Sequence, residues 1–199
     1  MNRTDLARSA PQVAPALLGA HLTHATHDGT VTVEITEVEA YTGSDDPASH
    51  AHRGPTPRNQ LMFGEAGHLY VYFSYGMHWC ANIVTGAEGE PAAVLLRAGR
   101  VISGTGLARK RRGERITDRH LARGPACTAQ ALGIDAAVKG ADVLGESPLT
   151  LASGRDVSAK EISTGPRVGV RLAADVPWRF WVTADPTVSA YKRHRRATH

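Results

Sequence analysis

After the pair Asp28–Gly29 the chain reads TVTVEITEVEAY, in which Val31, Val33 and Ile35 alternate with Thr32, Glu34 and Thr36. A two-residue repeat of this kind belongs to a strand with one apolar face, and the preceding HLTHATH makes it the second half of a predicted hairpin whose turn is Asp28–Gly29. HLYVYFSY and WCANIVT form a second predicted hairpin around Gly76, AAVLLRA reads as a strand buried on both faces, and GPRVGVRL and WRFWVTA supply two more strands. Residues 104–133 are basic and helically patterned, Asp5 is placed to cap a short first helix, and Pro11 and Pro15 interrupt the pattern that follows. Strands come as hairpins, and no GxGxxG or GxxxxGK[ST] string follows any of them, which argues against Rossmann and P-loop architectures. The expected class is α+β: a single mixed domain over residues 1–199, with a largely antiparallel, curved sheet flanked by helices, a protruding hairpin, and a basic tail at residues 192–199.

Composition narrows the function classes. Of 199 residues 42% are hydrophobic and 21% charged, enough apolar surface for a real core and too much for a disordered chain. The 23 basic residues outnumber the 19 acidic ones, and most are Arg, whose planar guanidinium suits phosphate. A net charge of +4 is ordinary for this length, so it leaves nucleic acid open as a partner without requiring it. Cys80 and Cys127 are too few for a disulfide framework or a metal ribbon. No apolar run has the length of a signal peptide or membrane span, so the expected location is the cytoplasm. Residues 42–67, rich in Gly, Pro, Asp, Ser and His, read as a long ordered loop, and such loops tend to carry function.

Counting on from Val31, Val33 and Ile35 by twos reaches Glu37, Glu39 and Tyr41, so a carboxylate is aimed where the apolar side chains point. A buried carboxylate needs partners or takes up a proton, and both states mark a general base. The alternative is that the strand ends or bulges near Glu37 and puts both glutamates into water. Tyr75, beside Gly76 at the hairpin tip, has little core of its own to pack on; it is either a ring for stacking on or wedging into nucleic acid, or a tyrosine folded back onto the sheet. His21, His24 and His27, with His50, His52, Asp45 and Asp46, raise the question of a metal. A spacing of three on a strand scatters ligands over both faces, and neither HExxH nor a zinc-deaminase string is present, so no metal and no cofactor is expected. GxSxG is also missing.

The string ITEVEAYTGSDDPASHAHRGPTPRNQLMFGEAGHLYVYFSYGMHWCANIV, followed by VLLRA, by Gly124–Pro125, by ALGI at 131–134, and by GPRVGV and PWRFWV, closely resembles the alkyladenine (3-methyladenine) DNA glycosylases over most of the chain. The resemblance implies that Glu39 is the general base that activates water, with Arg97 and the backbone of Val168 holding that water. It implies that Tyr41 stacks on one face of an extruded base while His50 and Tyr72 pack on the other, that Asn82 screens against the amino group of normal guanine, and that Tyr75 fills the gap left in the duplex. The implied partner is double-stranded DNA containing damaged purines of the 3-methyladenine, 7-methylguanine or hypoxanthine type, met by a monomer associated with the nucleoid. Base flippers of this class rotate the nucleotide out of the stack before chemistry. The four lysines, Lys110, Lys139, Lys160 and Lys192, lie outside the pocket strings, so simple hydrolysis without a lyase step is expected. Candidates for the DNA backbone are Arg53 and Arg58 in the loop and Arg109 and Arg111 in the run 109–115, with Arg193, Arg195 and Arg196 a further basic run. Trp79, Ala81, Gly54 and Pro55 depart from the usual pattern and bear on the range of lesions.

Overall fold

The computed structural model describes residues 1–74 and 76–198. Nine strands among them form one sheet in which every pairing is antiparallel. They are β1 (His21–Thr26), β2 (Gly29–Tyr41), β3 (Leu69–Ser74), β4 (His78–Thr85), β5 (Ala92–Ser103), β6 (Ala122–Arg123), β7 (Leu149–Ala152), β8 (Ile162–Gly165) and β9 (Arg179–Val182). The main path runs β3-β4-β5-β2-β1-β7; β6 extends from β5, and β9 joins β2 and carries β8. Five α-helices accompany the sheet: α1 (Arg3–Leu6), α2 (Ala10–Ala16), α3 (Thr105–Arg112), α4 (Asp118–Leu121) and α5 (Pro125–Leu132). The expected α+β class with a largely antiparallel sheet is therefore the observed one. No helix among the described residues is long and apolar enough to cross a membrane.

Both predicted hairpins form. The first closes one residue early, with Thr26 opposite Gly29 and His27–Asp28 as the connection. The second pairs Leu69 through Ser74 with Ile83 through His78. At the N-terminus Asn2 is the cap of α1, and Asp5 returns a bond to the Asn2 amide as the far side of a capping box. Pro11 opens α2, where its missing N–H costs nothing, and Pro15 is tolerated inside its last turn.

Strand alternation sorts the sheet into two faces. Val31, Val33, Ile35, Leu69, Val71, Ala81, Ile83, Val94 and Leu96 join α2 and α5 in the main core. On β3 to β5 the alternate residues look the other way, toward a cavity. The face reached by counting along β2 needs correcting. Opposite β5, Ile35 pairs with Gly99 and Glu37 with Ala98, so Thr36 is an extra residue, and a second irregularity follows before Val38 meets Leu96. A bulge of this kind interrupts the two-residue repeat. Ile35, Val38 and Ala40 all sit in the core, while Glu39 and Tyr41 line the cavity on the opposite face. The bulge near Glu37 that was the alternative reading thus occurs, but it puts neither glutamate into water: both are buried, Glu39 away from the apolar face.

The strand predicted for GPRVGVRL ends at Gly165; residues 166–172 are irregular. Pro166 has no N–H for a ladder. The Val168 N–H bonds a side chain instead, and Gly169 turns the chain with φ +69. Gly99, at the bulge, admits no side chain: a Cβ there would lie 2.2 Å from Val33 Cγ1 and 2.5 Å from the Glu34 carbonyl oxygen.

Candidate active site

The cavity, of about 640 Å³, sits on the second face of the sheet under residues 47–62 of the long loop and the 168–172 segment. Tyr70 and Tyr72 of β3, Asn82 of β4, Leu95 and Arg97 of β5, and Glu39 and Tyr41 of β2 reach it because each stands one residue away from a core position. The volume is that of a small-molecule pocket.

The Glu39 carboxylate is fully buried and has three partners. Its Oε1 accepts the Val168 N–H at 2.6 Å and lies 3.3 Å from Arg97 Nη1, and its Oε2 accepts the Tyr41 hydroxyl at 2.9 Å. Burial, and then the charge of Glu39, push the Tyr41 hydroxyl well above the ordinary tyrosine range, so it remains a donor. Burial works against the charge on Arg97, but Glu39 and Glu37 outweigh it and hold the guanidinium protonated. These three donors fix the carboxylate in one orientation at the cavity.

Aromatic side chains wall the space. The His50 ring meets Tyr72 edge-on at 4.6 Å between centroids, and its Nδ1 is 3.0 Å from the Tyr70 hydroxyl. Burial of the inner part of the ring, and then the nearby Arg58 cation, lower the His50 pKa, so the imidazole is neutral at pH 7. Burial raises the Tyr72 hydroxyl, and the neighbouring Cys80 adds to it. Asn82 is anchored by donating Nδ2 to the Tyr70 carbonyl at 3.0 Å.

Two buried ion-pair systems hold the walls in place. Arg167 and Asp46, both without solvent exposure, share two bonds of 2.6 and 2.8 Å. Arg167 also donates to the Ala40 carbonyl at 3.1 Å and places its guanidinium 4.7 Å from the centre of the Tyr41 ring. This pair ties the loop carrying His50 to the segment carrying Val168. Asn59 organises the rest of the loop, donating to the His50 carbonyl at 2.7 Å and the Gly54 carbonyl at 3.0 Å. In the second system Glu37, equally buried, accepts from Arg97 Nε at 2.8 Å, Arg179 Nε at 2.7 Å, and the Ser189 amide at 2.6 Å.

Glu39, Arg97, Val168, Tyr41, His50, Tyr72 and Asn82 thus share one cavity. Arg58 lines it too, its guanidinium 5.6 Å from the centre of the Tyr72 ring. Arg53 is exposed on the same loop. Arg109 and Arg111 lie elsewhere on α3: Arg109 is paired with Asp118, and Arg111 donates to the Ala131 carbonyl and Thr26. Tyr75 lies outside the described residues. Among the described residues no group of three or more His, Cys, Asp or Glu is placed to hold a metal ion; His24 bonds the Leu132 carbonyl, while His27 pairs with Asp28. From the sequence Asp46 enters only among the residues weighed for a metal, and Arg167, Arg179 and Ser189 carry no assigned role, although Arg167 and Arg179 lie inside the GPRVGV and PWRFWV strings. Residues 192–198 lie along the 169–174 segment, with the Gly169 N–H donating to the Lys192 carbonyl at 2.9 Å and the Thr198 N–H to the Arg171 carbonyl at 2.8 Å. A smaller cleft of about 440 Å³ is lined by Val168, Gly169 and Lys192–Arg196.

A buried, hydrogen-bonded carboxylate under aromatic walls is the equipment of an enzyme acting on a flat ring, and comparison with known proteins specifies the class. Residues 4–186 match the family model of methylpurine-DNA glycosylases. A protein of Streptomyces avermitilis is 51% identical over 197 residues, covering 98% of this chain and 92% of its own. One of Leifsonia xyli subsp. xyli is 52% identical over 195 residues, covering 94% and 90% respectively. Both carry the provisional name 3-methyladenine DNA glycosylase. The chain belongs to the methylpurine-DNA glycosylase family.

Proposed function

We propose that the cavity receives a damaged purine rotated out of duplex DNA and that Glu39 activates the water that cleaves its N-glycosidic bond. The observation that carries this reading is the buried Glu39 carboxylate, held by Val168, Tyr41 and Arg97 on the floor of an aromatic pocket. In the proposed reaction the purine departs with the electron pair of the glycosidic bond. The anomeric carbon gains oxocarbenium character beside an anion, water adds to it, and the proton released passes to Glu39. A purine alkylated at N3 or N7 is cationic and leaves as a neutral molecule, whereas hypoxanthine needs a proton or a hydrogen-bond donor. Tyr41 takes one face of the base and His50 and Tyr72 the other, at about 1–3 kcal/mol per stacked base. Asn82 excludes the guanine amino group, and Tyr75 occupies the vacancy in the duplex.

The relatives' name favours 3-methyladenine as a substrate. No lysine lines the cavity among the described residues, which supports hydrolysis without strand cleavage. Arg58 at the cavity, Arg53 on the same loop and the basic side chains of Lys192–Arg196 along the adjoining cleft take the flanking phosphates, and Arg109 and Arg111 take more distant ones. The protein acts as a monomer at the nucleoid.

The test uses labelled duplexes bearing 3-methyladenine, 7-methylguanine or hypoxanthine, incubated with chelator and then split in two. Alkali should cut the strand at the lesion, and the untreated half should stay whole. Intact strands after alkali for all three lesions would overturn the reading; nicking without alkali would overturn the absence of a lyase step.

A further inference from the structure

Glu37 is buried, charged and unused by the chemistry above. Its Oε1 receives Arg97 Nε at 2.8 Å, Arg179 Nε at 2.7 Å and the Ser189 hydroxyl at 2.9 Å, and its Oε2 receives the Ser189 amide at 2.6 Å. Arg97 therefore forks between two carboxylates of one strand: the closer contact goes to Glu37, the looser one, 3.3 Å through Nη1, to Glu39. Arg179 has its own fixings, donating to the Ser189 carbonyl at 2.7 Å and lying 4.5 Å from the centre of the Trp181 ring. Two carboxylates and two guanidinium groups make a buried, charge-balanced cluster that meets the cavity at Glu39 and Arg97. Burial raises the Glu37 pKa, but Arg97, the Ser189 amide and Arg179 outweigh it, so its pKa is lowered and Glu37 is the anion in use.

A general base must be anionic and still ready to take a proton. An arginine devoted wholly to Glu39 would secure the first property at the expense of the second. We propose that Glu37 is a positioning residue that draws Arg97 toward itself, with Arg179 as its counterweight, and so sets how much of the Arg97 charge the water-activating Glu39 feels. The inference rests on the reading of Glu39 as the base. The other groups around Glu39 are Tyr41 on its own strand, Tyr72 on β3, Cys80 on β4, Arg171 on the 168–172 segment, and Arg167 behind Tyr41. The loop adds His50 and Arg58. The variants below leave all of these unchanged.

The test is the pH profile of single-turnover excision from a duplex bearing the best of the three lesions. Glu37→Gln keeps the shape of the side chain but leaves two cations facing one carboxylate, so the acid limb should move to lower pH by about 1–2 units, with a lower plateau rate. Arg179→Gln removes a cation instead, so its acid limb should move to higher pH by a similar amount. Loss of packing cannot give opposite signs. Glu37→Asp, which restores the charge, should return the limb toward wild type. Unmoved limbs in both variants, or shifts in the same direction, would overturn the proposal. If Glu37→Gln does not fold, Arg179→Gln decides alone, and an unmoved or lowered limb in it refutes the charge-sharing role. A wild-type protein that excises none of the lesions would instead sink the reading on which the proposal rests.

Discussion

The amide of Val168 and the carboxylate of Glu39 meet at 2.6 Å across 129 positions of sequence. The floor of the cavity therefore exists only when β2 and the 166–172 segment are docked together, and the groups that fasten them are as much part of the site as Glu39 itself.

Glu39→Gln should bind lesion-containing duplex with near-normal affinity and lose excision by about 100-fold or more, the range for removal of a positioned base. Quenched-flow excision alongside equilibrium binding checks both halves. Near-normal turnover in this variant would remove Glu39 from the mechanism.

Arg167→Met leaves Asp46 buried without its partner, and breaking a buried pair from one side costs about 3–5 kcal/mol. Urea unfolding should show a loss of that order. Because Arg167 also backs Tyr41 and adjoins Val168, excision should fall further than the unfolded fraction explains. A variant of wild-type stability would mean that the loop is fastened by other groups.

Acid should destabilise the fold through Glu37. Its carboxyl is held below the ordinary value of 4.5, so it contributes stability above that value and loses it as the pH falls toward its lower folded one. Asp142, lowered by Arg3 and the Leu144 amide against its own burial, acts in the same sense. Unfolding free energy should therefore decline below about pH 4.5 in the wild type, and more shallowly in Glu37→Gln. Equal slopes in the two proteins would show that Glu37 carries no such linkage.

The basic arm gives a salt test. Each phosphate contact contributes about 0.9 to the slope of log affinity against log salt. Replacing both Arg195 and Arg196 by Gln should make the slope shallower by about 1.8, and Arg53→Gln by about half as much. Slopes equal to the wild type would take these side chains away from the DNA.

Tyr75→Ser should weaken extrusion of the base, read as a smaller fluorescence rise from a reporter nucleotide next to the lesion. An unchanged rise would exclude it as the plug.

Local pattern made the hairpins and the helical 104–133 stretch legible, since alternation and turn residues are encoded within a few positions. Alternation left Glu39 open between an acid on the apolar face and one turned into water by a bulge near Glu37; the strand does bulge there, at Thr36 opposite Gly99 and Ala98, yet both glutamates are buried, because partners far away in sequence cover the other face. GPRVGVRL misled in a similar way. Its β-branched residues suit a strand, but the Val168 amide is claimed by a carboxylate far away in sequence. Arg167 and Arg179 could be seen only as letters in strings, and Ser189 not at all, because their partners Asp46 and Glu37 lie 121, 142 and 152 positions away.

The inserted Thr36 couples shape to chemistry by a single peptide unit. Were it threaded into the regular ladder instead of bulged out, the two-residue count from Ile35 would swing Glu37 and Glu39 into the oil of the helical side and push Val38 and Ala40 out toward the bound base. Removing it altogether makes Glu37 the neighbour of Ile35 and keeps every later side chain on its present face. Deleting Thr36 should therefore leave the acid facing the cavity, whereas deleting Val38 in its place should turn Glu39 over and end folding and excision together.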